Sequence, residues 1–168
     1  CGARLTLNYY RIGGVDSDFT PELVQRMKAF LDIFPEKVKE YDSLIASNRI
    51  WLGRTKNVAV LSAEDAINFG CTGPVLRGSG VAYDVRRAHP YLKYDEVEFE
   101  VPVGTTSDCY DRFMMRMEEM KQSARIIDQS IERMADSGPI NVDDPRVILP
   151  PKEEVYSTIE GTIQHFKI

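Results

Sequence analysis

Asp108–Ala135, DCYDRFMMRMEEMKQSARIIDQSIERMA, decides the fold class. Phe113, Met117, Met120, Ala124, Ile127, Ile131 and Met134 follow one another at alternating spacings of four and three. That period keeps one face of an α-helix apolar along its whole length. Ahead of it, Thr105, Thr106 and Ser107 offer capping hydroxyls, and Asp108 and Asp111 place carboxylates in or near the first turn. Free N–H groups and the positive end of the helix dipole favour acids there. Gly138-Pro139 stops the pattern, so the spacing predicts a helix over about 108–135. Met117 and Met120 lie on the buried stripe as core fillers rather than soft-metal ligands, while Met114 and Met115 widen the buried face.

The same period marks the other helices. Thr20-Pro21-Glu22 combines a capping hydroxyl, a proline at the first helical position and an early acid. Leu23, Met27, Phe30, Phe34, Val38, Tyr41 and Ile45 then extend one face over about 21–46, with Pro35 predicting a kink or two collinear helices. Ser62 caps a short helix over 63–69 that Gly70 ends. Val155, Ile159, Ile163 and Phe166 predict a last helix over about 152–167, reached through a proline-rich surface loop from Ser137 to Pro151.

Asn57 to Leu61 is short, apolar and β-branched enough to be expected as a strand. From 70 to 104, glycines and prolines break any helical period except around Tyr91 to Tyr94, yet Val75, Leu76, Val81, Tyr83, Val97, Phe99 and Val101 carry too much apolar surface for disorder. An irregular, ordered connection is expected there, with alternation over 97–103 marking an extended segment. The fold class is therefore mainly α, with at most short β segments, in a single domain over 1–168.

Composition narrows the function. A chain of 168 residues, 43% hydrophobic and 28% charged, is that of one globular domain. A net charge of −5 argues against broad nucleic-acid binding, which needs surplus Lys and Arg. No run approaches the roughly 18 apolar residues that span a bilayer. Cys1, Cys71 and Cys109 are odd in number and far apart, which implies neither a disulfide framework nor a zinc site and fits a reducing, cytosolic setting. The opening Cys1-Gly2-Ala3-Arg4, without an initiator Met, and the close at Phe166-Lys167-Ile168 in mid-pattern read as an internal fragment.

Groups able to do chemistry are sparse. His89 and His165 lack companions at metal-ligand spacing. Gly78 and Gly80 are read as allowing close backbone packing, since neither a nucleotide-binding glycine motif nor a Walker lysine accompanies them. The charges within the packed connection are more telling. Arg77, Asp84, Arg86, Asp108, Asp111 and Arg112 are expected to form a structural network of Arg–Asp bridges, because a buried guanidinium needs fork-shaped acceptors. Solvation is the expectation for Arg87.

Several blocks, in order, carry a family resemblance: Gly2-Ala3-Arg4, Tyr10-Arg11-Ile12-Gly13-Gly14-Val15, Asn48-Arg49-Ile50-Trp51, Leu76-Arg77-Gly78-Ser79-Gly80, Val101-Pro102-Val103-Gly104 and Asp108-Cys109-Tyr110-Asp111-Arg112. Glu118-Glu119-Met120 and Gln164-His165-Phe166-Lys167 extend them to nearly the whole chain. Together they resemble the 49-kDa subunit family of respiratory complex I, homologous to the large subunits of nickel-iron hydrogenases. The resemblance implies a hydrogenase-large-subunit-like helical core and a part in NADH:quinone oxidoreduction coupled to proton pumping.

It further implies that this chain binds no cofactor itself and contributes no catalytic or metal-binding residue. Quinone is the substrate of the full subunit, while FMN and the iron-sulfur clusters sit in partner subunits. The partners are other peripheral-arm subunits, above all the one holding the terminal cluster. The segment containing Arg4, Thr6 and Arg11 runs towards that cluster, and Thr6 stands where many members carry a His linked to the cluster's protonation. A hydroxyl does not titrate near neutral pH, so this chain departs from the family there. The quinone-headgroup residues would lie upstream, and the implied location is peripheral to the cytoplasmic face of a bacterial plasma membrane. Nickel chemistry is disfavoured for want of paired Cys-x-x-Cys motifs. The competing readings are a self-standing helical interaction module and a related membrane-bound hydrogenase subunit without quinone chemistry.

Overall fold

The structure is a computed structural model that describes residues 3–134 and 138–167. The outer ends of the expected 108–135 helix and 137–151 loop fall outside those residues. The chain is mainly α, with one two-stranded sheet among the described residues. Contacts gather residues 3–23 and 138–167 into one compact unit and residues 24–134 into another.

The first unit is built on a hairpin. Strands β1 (Tyr10–Arg11) and β2 (Gly14–Val15) pair antiparallel with Tyr10 opposite Val15. Gly13 turns the corner at φ 90°, a left-handed conformation that costs a residue without Cβ little. The open side of β2 is closed by 140–142: Val15 N–H donates to the Ile140 carbonyl at 3.1 Å and Val142 N–H to the Gly13 carbonyl at 2.8 Å. The chain crosses so closely that a Cβ on Gly14 would stand 2.8 Å from Asn141 Cα. The expected 152–167 helix is two, α7 (Lys152–Ser157) and α8 (Ile159–Lys167). Thr158 is extended at φ −129°, and its hydroxyl accepts the Gly161 N–H at 3.0 Å, so it caps the second helix instead of continuing the first.

Helix α1 (Pro21–Tyr41), which belongs to the second unit from Val24 onward, runs through Pro35 as a single helix and passes into a π-helical turn at Asp42–Ala46, together covering the expected 21–46. Helix α2 (Arg49–Thr55) has no counterpart among the expected elements. Its signal is Asn48, whose side chain accepts the N–H groups of Ile50 at 2.9 Å and Trp51 at 3.3 Å. Helix α3 (Ala63–Asn68) follows Ser62 as expected. The 70–104 connection is less irregular than its composition predicts, because it holds α4 (Gly73–Gly78) and α5 (Val85–Ala88). Both are too short to display an apolar period. The longest helix, α6 (Cys109–Glu132), starts from Asp108, whose carboxylate accepts the Asp111 N–H at 2.8 Å.

No strand forms at 57–61. Asn57 and Ala59 adopt left-handed φ of 59° and 50°, which breaks the pleat. The start of α6 takes over this segment's backbone groups instead: Asn57 N–H donates to Asp108 at 2.8 Å, Cys109 N–H to the Val58 carbonyl at 3.0 Å, and Leu61 N–H to the Ser107 carbonyl at 3.0 Å. Ala59 has no polar side chain to compensate its conformation. Ala59→Gly is therefore expected to raise unfolding stability by about 1 kcal/mol, read from the denaturation midpoint. A fall would show that the Ala59 methyl group carries packing that outweighs the strain.

The 97–103 stretch is extended but pairs with no strand among the described residues. Glutamines of α6 stand in for a neighbouring strand: Gln129 accepts the Glu98 N–H at 2.8 Å and donates back to the Glu98 carbonyl at 2.7 Å, and Gln122 accepts the Glu100 N–H at 3.0 Å. The residues that alternate with these, Val97 and Phe99, are buried, and with Leu76, Ala66, Val38, Ala46 and Met117 they make the core.

Candidate functional site

The densest concentration of buried charge lies where α4 crosses α6. Arg77, in the last turn of α4, is 6% exposed, and Asp84, just ahead of α5, is 4% exposed. The Arg77 Nε donates to Glu119 Oε1 at 2.9 Å, and Nη2 reaches the same oxygen. Its Nη1 donates to the Tyr83 carbonyl at 3.2 Å and stands 3.7 Å from Asp84 Oδ2. Asp84 caps α5 by accepting the Arg86 N–H at 2.9 Å, and it accepts Arg86 Nη2 at 2.6 Å on its other oxygen. Two arginines and two carboxylates thus alternate along one line without net charge, Arg77 and Asp84 buried and Arg86 and Glu119 half-buried at its ends. Glu119 is a member of this network that the sequence reading misses. Its signal was present, because Glu119 follows Arg112 by one heptad and so shares the helix face that meets α4.

Arg86 and Arg87 both lie over the Phe99 ring, their guanidinium carbons 4.6 and 4.2 Å from its centre. A desolvated ring face attracts such cations. Arg87, expected to be solvated, is exposed, yet it also donates to the Phe99 carbonyl at 2.7 Å.

Asp108, Asp111 and Arg112 form a second cluster built largely on backbone. Asp111 accepts the N–H groups of Thr105 at 2.7 Å, Thr106, and Ser107 at 3.2 Å, a nest of amides around one carboxylate oxygen. Arg112 donates to the carbonyls of Ser107 at 3.0 Å and Ala59 at 2.8 Å. Carboxylate and guanidinium here each tie loop backbone to α6, and Asp111 and Arg112 make no Arg–Asp bridge of the expected kind among the described residues.

These contacts set a pH dependence. The Arg86 guanidinium holds the Asp84 carboxyl below the ordinary carboxylate range, against the opposing effect of burial. For Asp108, burial is the largest influence and favours the neutral acid, but N–H donors from Asp111, Asn57 and Tyr110 outweigh it and lower the pKa. A carboxyl depressed in the folded state stabilises above its unfolded pKa of about 3.9 and loses that contribution as pH falls through the folded value. Unfolding stability is expected to be flat from neutrality to about pH 5 and to fall below it. Asp84→Asn should flatten the acid limb in a denaturation series, and an unchanged limb would remove Asp84 from this role.

Arg4 and Thr6 are exposed, and Arg11, on β1, is ion-paired with Asp16. No group of three or more His, Cys, Asp or Glu side chains among the described residues is placed to hold a metal ion. No helix among them is long and apolar enough to cross a membrane.

The family model for the respiratory-chain NADH dehydrogenase 49 Kd subunit matches residues 1–168. The chain belongs to this 49 Kd subunit family. Among curated proteins, it is 54% identical over 167 residues to an NADH-quinone oxidoreductase subunit from Sorangium cellulosum, covering 99% of this chain and 41% of that protein. An NADH-quinone oxidoreductase subunit from Salinibacter ruber is 50% identical over 165 residues, or 98% of this chain and 36% of that protein. Another, from Aquifex aeolicus, is 47% identical over 171 residues, or 99% of this chain and 29% of that protein. The chain spans about two fifths or less of the length of these relatives. In three dimensions the blocks Leu76–Gly80 and Asp108–Arg112 meet at the α4–α6 crossing.

Proposed function

We propose that the chain works within the quinone-reducing subunit of a proton-pumping NADH:quinone oxidoreductase, where it supplies scaffold and interface near the terminal iron-sulfur cluster and the quinone cavity. The observation that carries this reading is identity of about half of all positions, over nearly the whole chain, with proteins named as NADH-quinone oxidoreductase subunits. In this role the chain's own residues do no chemistry on NADH, FMN or quinone. They hold backbone: the Arg77–Glu119 and Asp84–Arg86 pairs fix α4 and α5 on α6, and Asp108, Asp111 and Arg112 fix the two loops at the head of α6. The natural partners are other peripheral-arm subunits, above all the one carrying the terminal cluster, at the cytoplasmic face of the membrane.

Exchanging this stretch for the matching two fifths of a 49 Kd relative should preserve assembly and NADH:quinone turnover. A complex that assembles fully but turns over no quinone would overturn the reading. The proposed place of Arg4, Thr6 and Arg11 beside the cluster leads to a finer expectation. Thr6→His introduces a group titrating near pH 6.5, so the cluster's midpoint potential should gain a pH dependence absent with threonine. Redox titration at several pH values with no change of slope would place position 6 away from the cluster.

A further inference from the structure

The turn at 56–61 is fastened almost entirely by the head of α6. Asn57 and Ala59 hold left-handed φ of 59° and 50°, and Ser107, just ahead of α6, holds 63°. None of the three is glycine, and such conformations persist only where the surrounding structure over-determines them. Apart from the bonds that Lys56 and Val58 N–H make back into α2, the polar contacts of the turn among the described residues come from Ser107–Arg112. Lys56 Nζ lies 5.0 Å from the centre of the Tyr110 ring, Asn57 N–H donates to Asp108 Oδ2 at 2.8 Å, and Cys109 N–H donates to the Val58 carbonyl at 3.0 Å. Arg112 Nη2 donates to the Ala59 carbonyl at 2.8 Å, and Leu61 N–H to the Ser107 carbonyl at 3.0 Å. Asp108 joins the two sides, because its Oδ1 accepts the Asp111 N–H that starts α6 while its Oδ2 holds the turn. Asp111 in turn gathers the amides of residues 105–107. Asp108 is buried, whereas residues 56–60 are exposed, and Val58 and Val60 bring little apolar burial of their own. Few buried apolar contacts and exposed backbone mark the part of a fold that opens before the whole unfolds.

We propose that residues 56–61 and 105–112 form a conformational latch, which opens as one unit while the rest of α6 stays folded and, in opening, frees the C-terminal end of α2 from α6. Closed, it keeps three residues cocked in left-handed backbone. Open, those residues relax to extended backbone, Asp108 gives up both of its bonds, and the first turn of α6 frays with the turn it held. Strain at Asn57, Ala59 and Ser107 favours opening, and the bonds of Asp108 and Arg112 oppose it. Because one buried carboxylate serves both the helix start and the strained turn, neither side closes without the other. With the latch open, Trp51 against the edge of the Phe113 ring, centroids 5.5 Å apart, remains to hold α2 on α6. The latch belongs to the chain's own backbone and stands apart from the functional reading above.

The test is native-state hydrogen exchange on the family-length subunit in its assembled complex, resolved to single amides by mass spectrometry. Expected is one shared opening: the amides of Asn57, Leu61, Thr105 and Cys109 show protection within about threefold of one another, and at least about a hundredfold below that of Met117 to Ala124 inside α6. Asp108→Ala should then speed exchange at Leu61 and Cys109 at least about tenfold, although neither amide is bonded to Asp108. That coupling separates a latch from a local contact, whose loss would speed only the amides bonded to Asp108 itself. Ala59→Gly relieves the strain at one of the three residues and should slow the whole set about fivefold. Protection equal to that of the α6 interior would make the junction part of the rigid core and overturn the latch. So would acceleration confined to the amides bonded to Asp108, or faster exchange in Ala59→Gly. Should Asp108→Ala not assemble, the wild-type protection pattern and the Ala59→Gly shift decide alone.

Discussion

Glu119→Ala in the family-length subunit lowers unfolding stability by about 3 to 5 kcal/mol, the cost of leaving a buried charge without its partner. Arg77 is 6% exposed, and Glu119 Oε1 receives two of its N–H groups. Without Glu119, the guanidinium keeps the Tyr83 carbonyl at 3.2 Å and the Asp84 oxygen at 3.7 Å, but Asp84 is already engaged bidentately by Arg86. One carboxylate then faces two arginines. The measurement is the chemical denaturation midpoint, and a loss below about 1 kcal/mol would reduce the pair to a surface-like contact.

The double variant Arg77→Met/Glu119→Leu separates the pair's net contribution from the penalty of orphaning one member. Replacing a whole buried ion pair by apolar residues of similar volume is often neutral or stabilising. The double variant is thus expected to recover most of the loss, while Asp84 and Arg86 still neutralise each other. Under the proposed function, Arg77→Ala alone should impair assembly of the subunit more than it alters the Michaelis constant for quinone, since Arg77 holds α4 to α6.

The long helices were legible because α1 and α6 each repeat an apolar period for several turns, and α6 announces its start with Asp108. The short ones were not. Helices α4 and α5 are six and four residues long, so neither repeats a period of 3.6 residues, and Gly73-Pro74 reads as a breaker in sequence although it opens α4. The 57–61 strand is expected from valines whose pleat is broken by left-handed Asn57 and Ala59, and the lock that holds those conformations is Asp108, some fifty residues away. Charges were legible as a set but not as pairs. Arg77, Asp84 and Arg86 do meet, whereas Asp111 and Arg112 serve backbone amides and carbonyls, whose positions a sequence does not display. The heptad spacing of Glu119 from Arg112 places it on the face that meets α4, but which arginine of α4 it pairs with is set by how α4 lies on that face.

Gly104→Ala is expected to cost about 3 kcal/mol, through a collision of backbone with backbone. A Cβ at position 104 would stand 2.6 Å from the Gly78 carbonyl oxygen and 3.0 Å from Gly78 Cα. Neither atom is the end of a flexible side chain, so relief requires α4 to move. Gly78 itself lies against Arg112, with a Cβ there 2.9 Å from Arg112 Cγ, so retreat of α4 towards α6 is blocked. Movement the other way stretches the 2.8 Å bond from Gly104 N–H to the Arg77 carbonyl and draws Arg77 off Glu119. Gly53→Ala is the matching control. Gly53 lies inside α2 with nothing within 4 Å of its would-be Cβ, so alanine should stabilise by about 0.5 to 1 kcal/mol through helix propensity alone. Denaturation midpoints that move in opposite directions for the two variants would establish that glycine at 104 is required by the crossing of α4 with the strap ahead of α6, and equal shifts would refute it.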